Sequence, residues 1–161
     1  MSESDQTLSV VRQVFAAFAA HDLDAFRDLL HTHVVLHVGG GPTTIAGIDA
    51  IVGAVSVTFR AIPDLRVTVV SAFAHGPLAA VEVVREGTHT GAAVLPDGSP
   101  LPPSGRAVRL PECVLFTVRD GKVARMAPYV DMLDTLRQLG ALPTPGGGAA
   151  EPAAAPDRPR D

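Results

Sequence analysis

The row Val108, Leu110, Glu112, Val114, Phe116 and Val118 sets one carboxylate among apolar side chains at every second position. Alternation with period two marks a strand with one face in a core, so Glu112 belongs to the buried face. A carboxylate left unpaired there keeps its proton to higher pH, which is how a general acid or base for work near neutrality is made. The position has a second reading, an ion pair with a cation on a neighbouring strand, because carboxylates are seldom buried alone. Arg85 is the candidate partner. Asp131 stands where a return strand meets a closing helix. It can cap that helix, with Asp134 in the favourable first turn, or it can present a carboxylate at a cavity mouth. Tyr129, the chain's only tyrosine, shares its strand parity. His37, between Leu36 and Val38, is either a satisfied core histidine or a neutral imidazole able to pass a proton near pH 7. His89 lies in Gly87-Thr-His-Thr-Gly91, where the glycines permit a ligand to approach the backbone and equally permit a bulge.

Other chemistries find less support. His31 and His33 have a metal-like i, i+2 spacing, but no third ligand is evident, so no metal is expected. Cys113 has the opposite parity to Glu112, and no His/Asn set marks it as a nucleophile. As the single cysteine it excludes an internal disulfide and any Cys-based zinc cluster. There is no Gly-x-Ser-x-Gly elbow, phosphate loop or dinucleotide fingerprint.

The elements that must position these residues follow from periodicity. Leu8, Val11, Phe15 and Phe18 share one helical face, with Ser4 or Asp5 as cap. A short second helix carries Phe26, Leu29 and Leu30 behind Asp22 or Asp24. His33 to Val38 reads as a strand ended by Gly39-Gly-Gly-Pro42. A third helix spans roughly Gly47 to Phe59, with Ile48, Ile51, Val52 and Val55 on one stripe. Period two then takes over: strands from Leu65 to Phe73, from Leu78 to about Thr90, and from Arg106 to Val118. Residues 91–105, rich in Gly and Pro, read as a loop. Asp120-Gly121 fits a two-residue hairpin turn, Val123 to Val130 returns, and Met132 to Leu139 is a closing helix stopped by Gly140. Helices first and an antiparallel meander after them give an α+β fold, a curved sheet closing over helices around a pocket.

Composition bounds the rest. A chain of 161 residues with 47% hydrophobic and 19% charged side chains makes one domain with a sizeable core. That domain is expected over residues 1–142. Residues 143–161, Pro/Gly/Ala-rich without periodicity, read as a disordered tail. A net charge of −4 with no basic run argues against nucleic acid, and no apolar stretch is long enough to span a bilayer. The acidic, polar N-terminus is the reverse of a secretory signal, so a cytoplasmic location is expected.

Ile62-Pro-Asp-Leu-Arg-Val-Thr-Val, Gly87-Thr-His-Thr-Gly91, Pro103-Ser-Gly-Arg106, Val118-Arg-Asp-Gly-Lys-Val123, and Asp131 followed by Leu136-Arg-Gln-Leu-Gly140 occur in this order. From about Leu8 to Leu142 the chain resembles the SnoaL-like polyketide cyclases of the nuclear transport factor 2-like superfamily. The resemblance implies a conical α+β barrel with a deep apolar pocket, and homodimers or homotetramers formed through the outer sheet face. It implies ring closure of a polyketide-like substrate by intramolecular aldol condensation, without metal or cofactor, in secondary metabolism. The family's acid/base aspartate matches Asp131, which makes it the leading catalytic candidate, with Glu112 and His37 donating to developing oxyanions. Expected substrate contacts are His89, Tyr129 and Arg85, with Phe15, Phe18, Val114 and Phe116 as apolar wall. The chain departs from the cyclase pattern at Val114, where a pocket histidine is usual, and at Glu112, where a neutral amide is usual. That leaves other reactions of the fold open: double-bond isomerisation, cofactor-free hydroxylation, or epoxide opening by Glu112, Arg85 and Asp131. Non-catalytic binding of a small hydrophobic ligand is open too.

Overall fold

Ser2 and Asp5 start the first helix. In the computed structural model, which describes residues 1–95 and 98–142, the Ser2 hydroxyl accepts from the Asp5 N–H and the Asp5 carboxylate accepts from the Ser2 N–H. This capping box fixes α1 at Glu3–Ala19 and makes Asp5 the return acceptor rather than the cap. Its buried face carries Val10, Val11, Val14 and Ala17. Asp22 caps α2 (Leu23–Asp28) by accepting from Ala25 N–H at 2.9 Å. The helix is shorter than its apolar residues suggest, because Leu30 already begins β1 (Leu30–His37). A single 3₁₀ turn leads to β2 (Thr44–Ala46), an edge strand too short to read from periodicity, and then to α3 (Ile48–Ala61).

The meander follows as β3 (Arg66–His75) and β4 (Leu78–Thr88). The segment expected to be only loop contains a small separate hairpin, β5 (Ala93–Val94) with β6 (Pro100–Leu101). The long strands β7 (Ala107–Arg119) and β8 (Lys122–Val130) come next, joined at Asp120 (φ +50°) and Gly121 (φ +69°), the doubly left-handed turn that suits a twisted hairpin. Helix α4 (Met132–Gln138) closes the described chain. The expected tail, 143–161, lies outside the described residues.

The main sheet runs β2-β1-β8-β7-β4-β3. Its neighbours are antiparallel except β1 and β8, which are parallel. Register breaks between Leu30 and Val35, between Val69 and Ser71, and between Thr117 and Val118 bend the strands. The result is the expected α+β cone, with α1 and α3 inside the curve. The buried row of β7 is the one anticipated: Val108, Leu110, Glu112, Val114, Phe116 and Val118. These side chains pack on α1 and α3, and each large apolar one contributes about 1.5–3 kcal/mol relative to exposure. Among the described residues no helix is long and apolar enough to cross a membrane.

Candidate active site

Glu112 stands midway along β7, opposite Val83 of β4 and Val130 of β8. Arg85 lies two residues beyond Val83 on β4, so it is the diagonal neighbour of Glu112 on the same face. Its Nη2 donates to Glu112 Oε2 at 2.6 Å, with only 6% of the Glu112 side chain and 20% of the Arg85 side chain exposed. The structural pairing foreseen for Glu112 is therefore present. Burial pushes the Glu112 carboxyl above the usual carboxylate range, while the Arg85 charge and hydrogen bond pull it partly back. The Arg85 Nε is buried with no hydrogen-bond partner among the described residues.

The pair borders a cavity of about 220 Å³. Its most buried wall comprises Val14, Phe26, Ile51, Val114, Phe116 and Met126. Phe15 meets Phe116 edge to face at 5.8 Å, and Phe18 does the same with Phe59 at 4.8 Å. Leu36, Val55, Thr58, Val67 and Pro128 complete the partly exposed side. Among the described residues Arg85 and Glu112 are the charged members of this lining. The arrangement is one ionisable carboxyl, one fixed cation and a hydrocarbon wall, which is suited to moving a proton and holding the negative charge that results.

Of the expected site residues, Glu112, Arg85, Phe15, Phe18, Val114 and Phe116 meet at this cavity. The others are placed elsewhere. Asp131 is exposed and caps α4, its Oδ1 accepting from the Asp134 N–H at 3.0 Å. It is not part of the cavity wall. Tyr129 projects from the outer face of the sheet, 45% exposed, beside Phe73 and Cys113. Its ring covers Gly40, where a Cβ would run into the Tyr129 ring, so that turn needs glycine. His37 is half-buried and outside the lining, because Leu36 takes the inward direction on β1. His89 is fully buried but faces the 104 region: its Nδ1 lies 2.9 Å from Ser104 Oγ and accepts from the Ser104 N–H at 3.3 Å. Burial lowers its pKa, and its Nε2 has no hydrogen-bond partner among the described residues. The glycines beside it serve close packing: a Cβ on Gly91 would meet the Arg60 carbonyl oxygen, and one on Gly87 would meet Ile62. His31 and His33 stand with ring centroids 5.7 Å apart, and no cluster of three or more metal-binding side chains occurs among the described residues.

Sequence reasoning missed several wall residues. Met126 and Pro128 share the inward parity of β8, opposite to Tyr129, and Val67 has the inward parity of β3. The stripe on α3 pointed to Ile51 and Val55 but not to Thr58 one turn later.

Residues 9–139 match the family model described as SnoaL-like polyketide cyclase. The chain belongs to the SnoaL-like polyketide cyclase family. Solved structures agree with that membership. A proposed SnoaL-like polyketide cyclase from Jannaschia sp. CCS1 is 26% identical, over 89% of this chain and 97% of its own, with a TM-score of 0.76. IdmH, a proposed polyketide cyclase from Streptomyces antibioticus, is 26% identical over 84% of this chain and 99% of its own, with a TM-score of 0.67. AclR, a proposed hydroxylase from Streptomyces galilaeus, shares the fold at 21% identity and a TM-score of 0.73, over 88% of this chain and 89% of its own. No curated protein sequence matches the chain. Within the SnoaL-like family the cone fold is common ground, and the reaction is set by which polar groups reach the cavity.

Proposed function

We propose that this protein is a cofactor-independent acid/base enzyme that closes a ring in a small polyketide-like substrate by intramolecular aldol-type condensation, as part of secondary metabolism. The observation that carries the reading is the Glu112–Arg85 pair on the wall of an otherwise apolar cavity. The Glu112 carboxylate takes a proton from the carbon beside a carbonyl. The enolate attacks a second carbonyl of the folded chain, and the alkoxide formed takes the proton back from Glu112. Arg85 holds the developing negative charge, where a low-dielectric surrounding strengthens the interaction. The proton carrier is Glu112 and not Asp131, whose carboxylate is exposed and engaged in capping. His37 takes no part, since it stands outside the wall.

The same proton transfer serves double-bond isomerisation, and one feature favours that second reading. A single carboxylate lines the cavity among the described residues, and one group suffices to remove a proton and return it elsewhere. Epoxide opening by a three-member set loses its third member with Asp131 on the surface. We also place the protein in the cytoplasm as a homodimer or homotetramer. Phe73, Leu78 and Tyr129, all exposed on the outer sheet face, support self-association there.

The test is exchange of the acidic protons of β-tetralone into D2O, followed by NMR. Glu112→Gln is expected to slow the protein-catalysed exchange by about 10²–10⁴-fold with the thermal transition retained. A rate equal to the parent's removes Glu112 from the chemistry.

A further inference from the structure

The guanidinium of Arg85 has five N–H donors by its chemistry, and its hydrogen bond to Glu112 uses Nη2. Its Nε is buried without a partner among the described residues and has no open surface, whereas no hydrogen bond there engages Nη1 and the side chain is 20% exposed, so Nη1 is the donor left for an incoming acceptor. Every other wall residue is apolar apart from the Thr58 hydroxyl, which turns back toward the Ala54 carbonyl at 3.4 Å. The cavity thus has one donor group to offer, the Nη1 side of Arg85, and among the described residues no second polar anchor at its buried end, where Phe26, Ile51 and Met126 stand. Its size is also limiting. A dry cavity of about 150 Å³ accepts benzene, and ligand sites for larger molecules run from about 300 Å³ upward. At about 220 Å³ this one lies between them.

Resting on the reading of the site given above, we infer that the ligand is a compact ketone the size of one or two fused rings, anchored by one carbonyl oxygen on the Arg85 guanidinium. Its hydrocarbon part fills the Phe116–Met126 end. The carbon beside that carbonyl then lies next to the Glu112 carboxylate, since both groups of the pair sit on the same wall. Arg85 is in this assignment a substrate-binding residue that selects for the acceptor oxygen, and the volume selects for size. A larger polycycle leaves its additional rings in water and gains nothing from them.

Equilibrium binding of unreactive and reactive probes tests both parts without turnover. β-Tetralone and its parent hydrocarbon tetralin have the same skeleton and differ in the oxygen. The parent protein is expected to prefer β-tetralone by about tenfold or more, the usual gain of a hydrogen bond to a charged group. In the double variant Arg85→Met/Glu112→Leu, which keeps the volume and removes the pair together, the preference should vanish. Arg85→Lys, which keeps the charge and lacks the planar guanidinium fork, provides a second variant and should lose most of the preference. A preference that survives both variants, or a parent protein that favours tetralin, overturns the anchoring role. For size, affinity should rise about tenfold from cyclohexanone to β-tetralone, as more apolar area is buried, and level off at a tetracyclic ketone. A tetracyclic ketone bound ten times more tightly than β-tetralone overturns the size limit. Binding with the expected preferences but no proton exchange would spare this inference and remove the catalytic one. Exchange without the preferences would do the reverse.

Discussion

Glu112 and Asp131 are neighbours across the β7–β8 pair, and they do opposite things. Glu112 faces Val130 in the register, so Asp131 is one residue beyond its direct partner. Glu112 points into the cavity and is almost wholly buried, whereas Asp131 leaves the strand toward solvent and spends an oxygen on the Asp134 N–H. Neither residue type nor proximity separates them. The pleat does: side chains alternate between faces, and the chain turns out of the sheet at Asp131 to begin α4. A carboxylate in a strand inherits the environment of its face, while one at a strand exit is free to serve the next element.

The sharpest way to break this contrast is to neutralise each carboxylate in turn. Glu112→Gln should lower proton exchange by about 10²–10⁴-fold, and Asp131→Asn should leave it within experimental scatter. Equal losses in the two variants would abolish the distinction. Next in size is the cost of separating the buried pair. Arg85→Leu leaves Glu112 buried without its cation and should cost about 3–5 kcal/mol in denaturant unfolding, whereas Arg85→Met/Glu112→Leu should be close to neutral. A single variant as mild as the double one would mean that the pair is open to water in solution.

A pH series sharpens the comparison further, because the two buried titrating groups work in opposite directions. The Glu112 pKa is raised by burial, so its stabilising contribution is full below the unfolded value and is lost as pH rises through the folded one. The His89 pKa is lowered by burial. Its contribution is therefore present above the unfolded value and lost as pH falls through the folded one. Thermal unfolding between neutrality and mild acid should show a falling limb that His89→Gln flattens and Glu112→Gln does not. A limb left intact in His89→Gln would assign acid sensitivity to another group. The smallest effect belongs to the cap: Asp131→Ala should cost about 1 kcal/mol and Asp131→Asn a few tenths at most, read as a shift in Tm.

Much of this was legible in the residues. The β7 row announced its buried face by strict alternation, and Asp120-Gly121 announced the hairpin because few other residues accept two left-handed positions. Arg85 was identifiable as the partner of Glu112 because Val81 and Val83 mark the same inward parity on β4. Asp131 was not resolved, since a cap and a cavity-mouth carboxylate need the same residue at the same strand exit. The direction depends on how the chain leaves the sheet, which no local pattern encodes. His37 and Tyr129 stand outside the cavity wall, a placement not legible for a related reason: in strands this apolar on both faces, parity alone does not name the inner one. The glycines around His89 fit a ligand's approach or a bulge equally well in the sequence, and the space is taken by the end of α3 and the residues after it. The β5–β6 hairpin has two residues in each strand, too few for any period to register.

The parallel contact between β1 and β8 has a consequence for how the molecule is made. An early strand waits for a late one, with the whole meander between them, so this seam closes only after most of the chain has been synthesised. Long-range pairings of this kind are slow to form. Met126 and Pro128 arrive on β8, so the cavity gains its last wall at the end of assembly, and a nascent chain that stops short of that strand leaves the hollow open on one side.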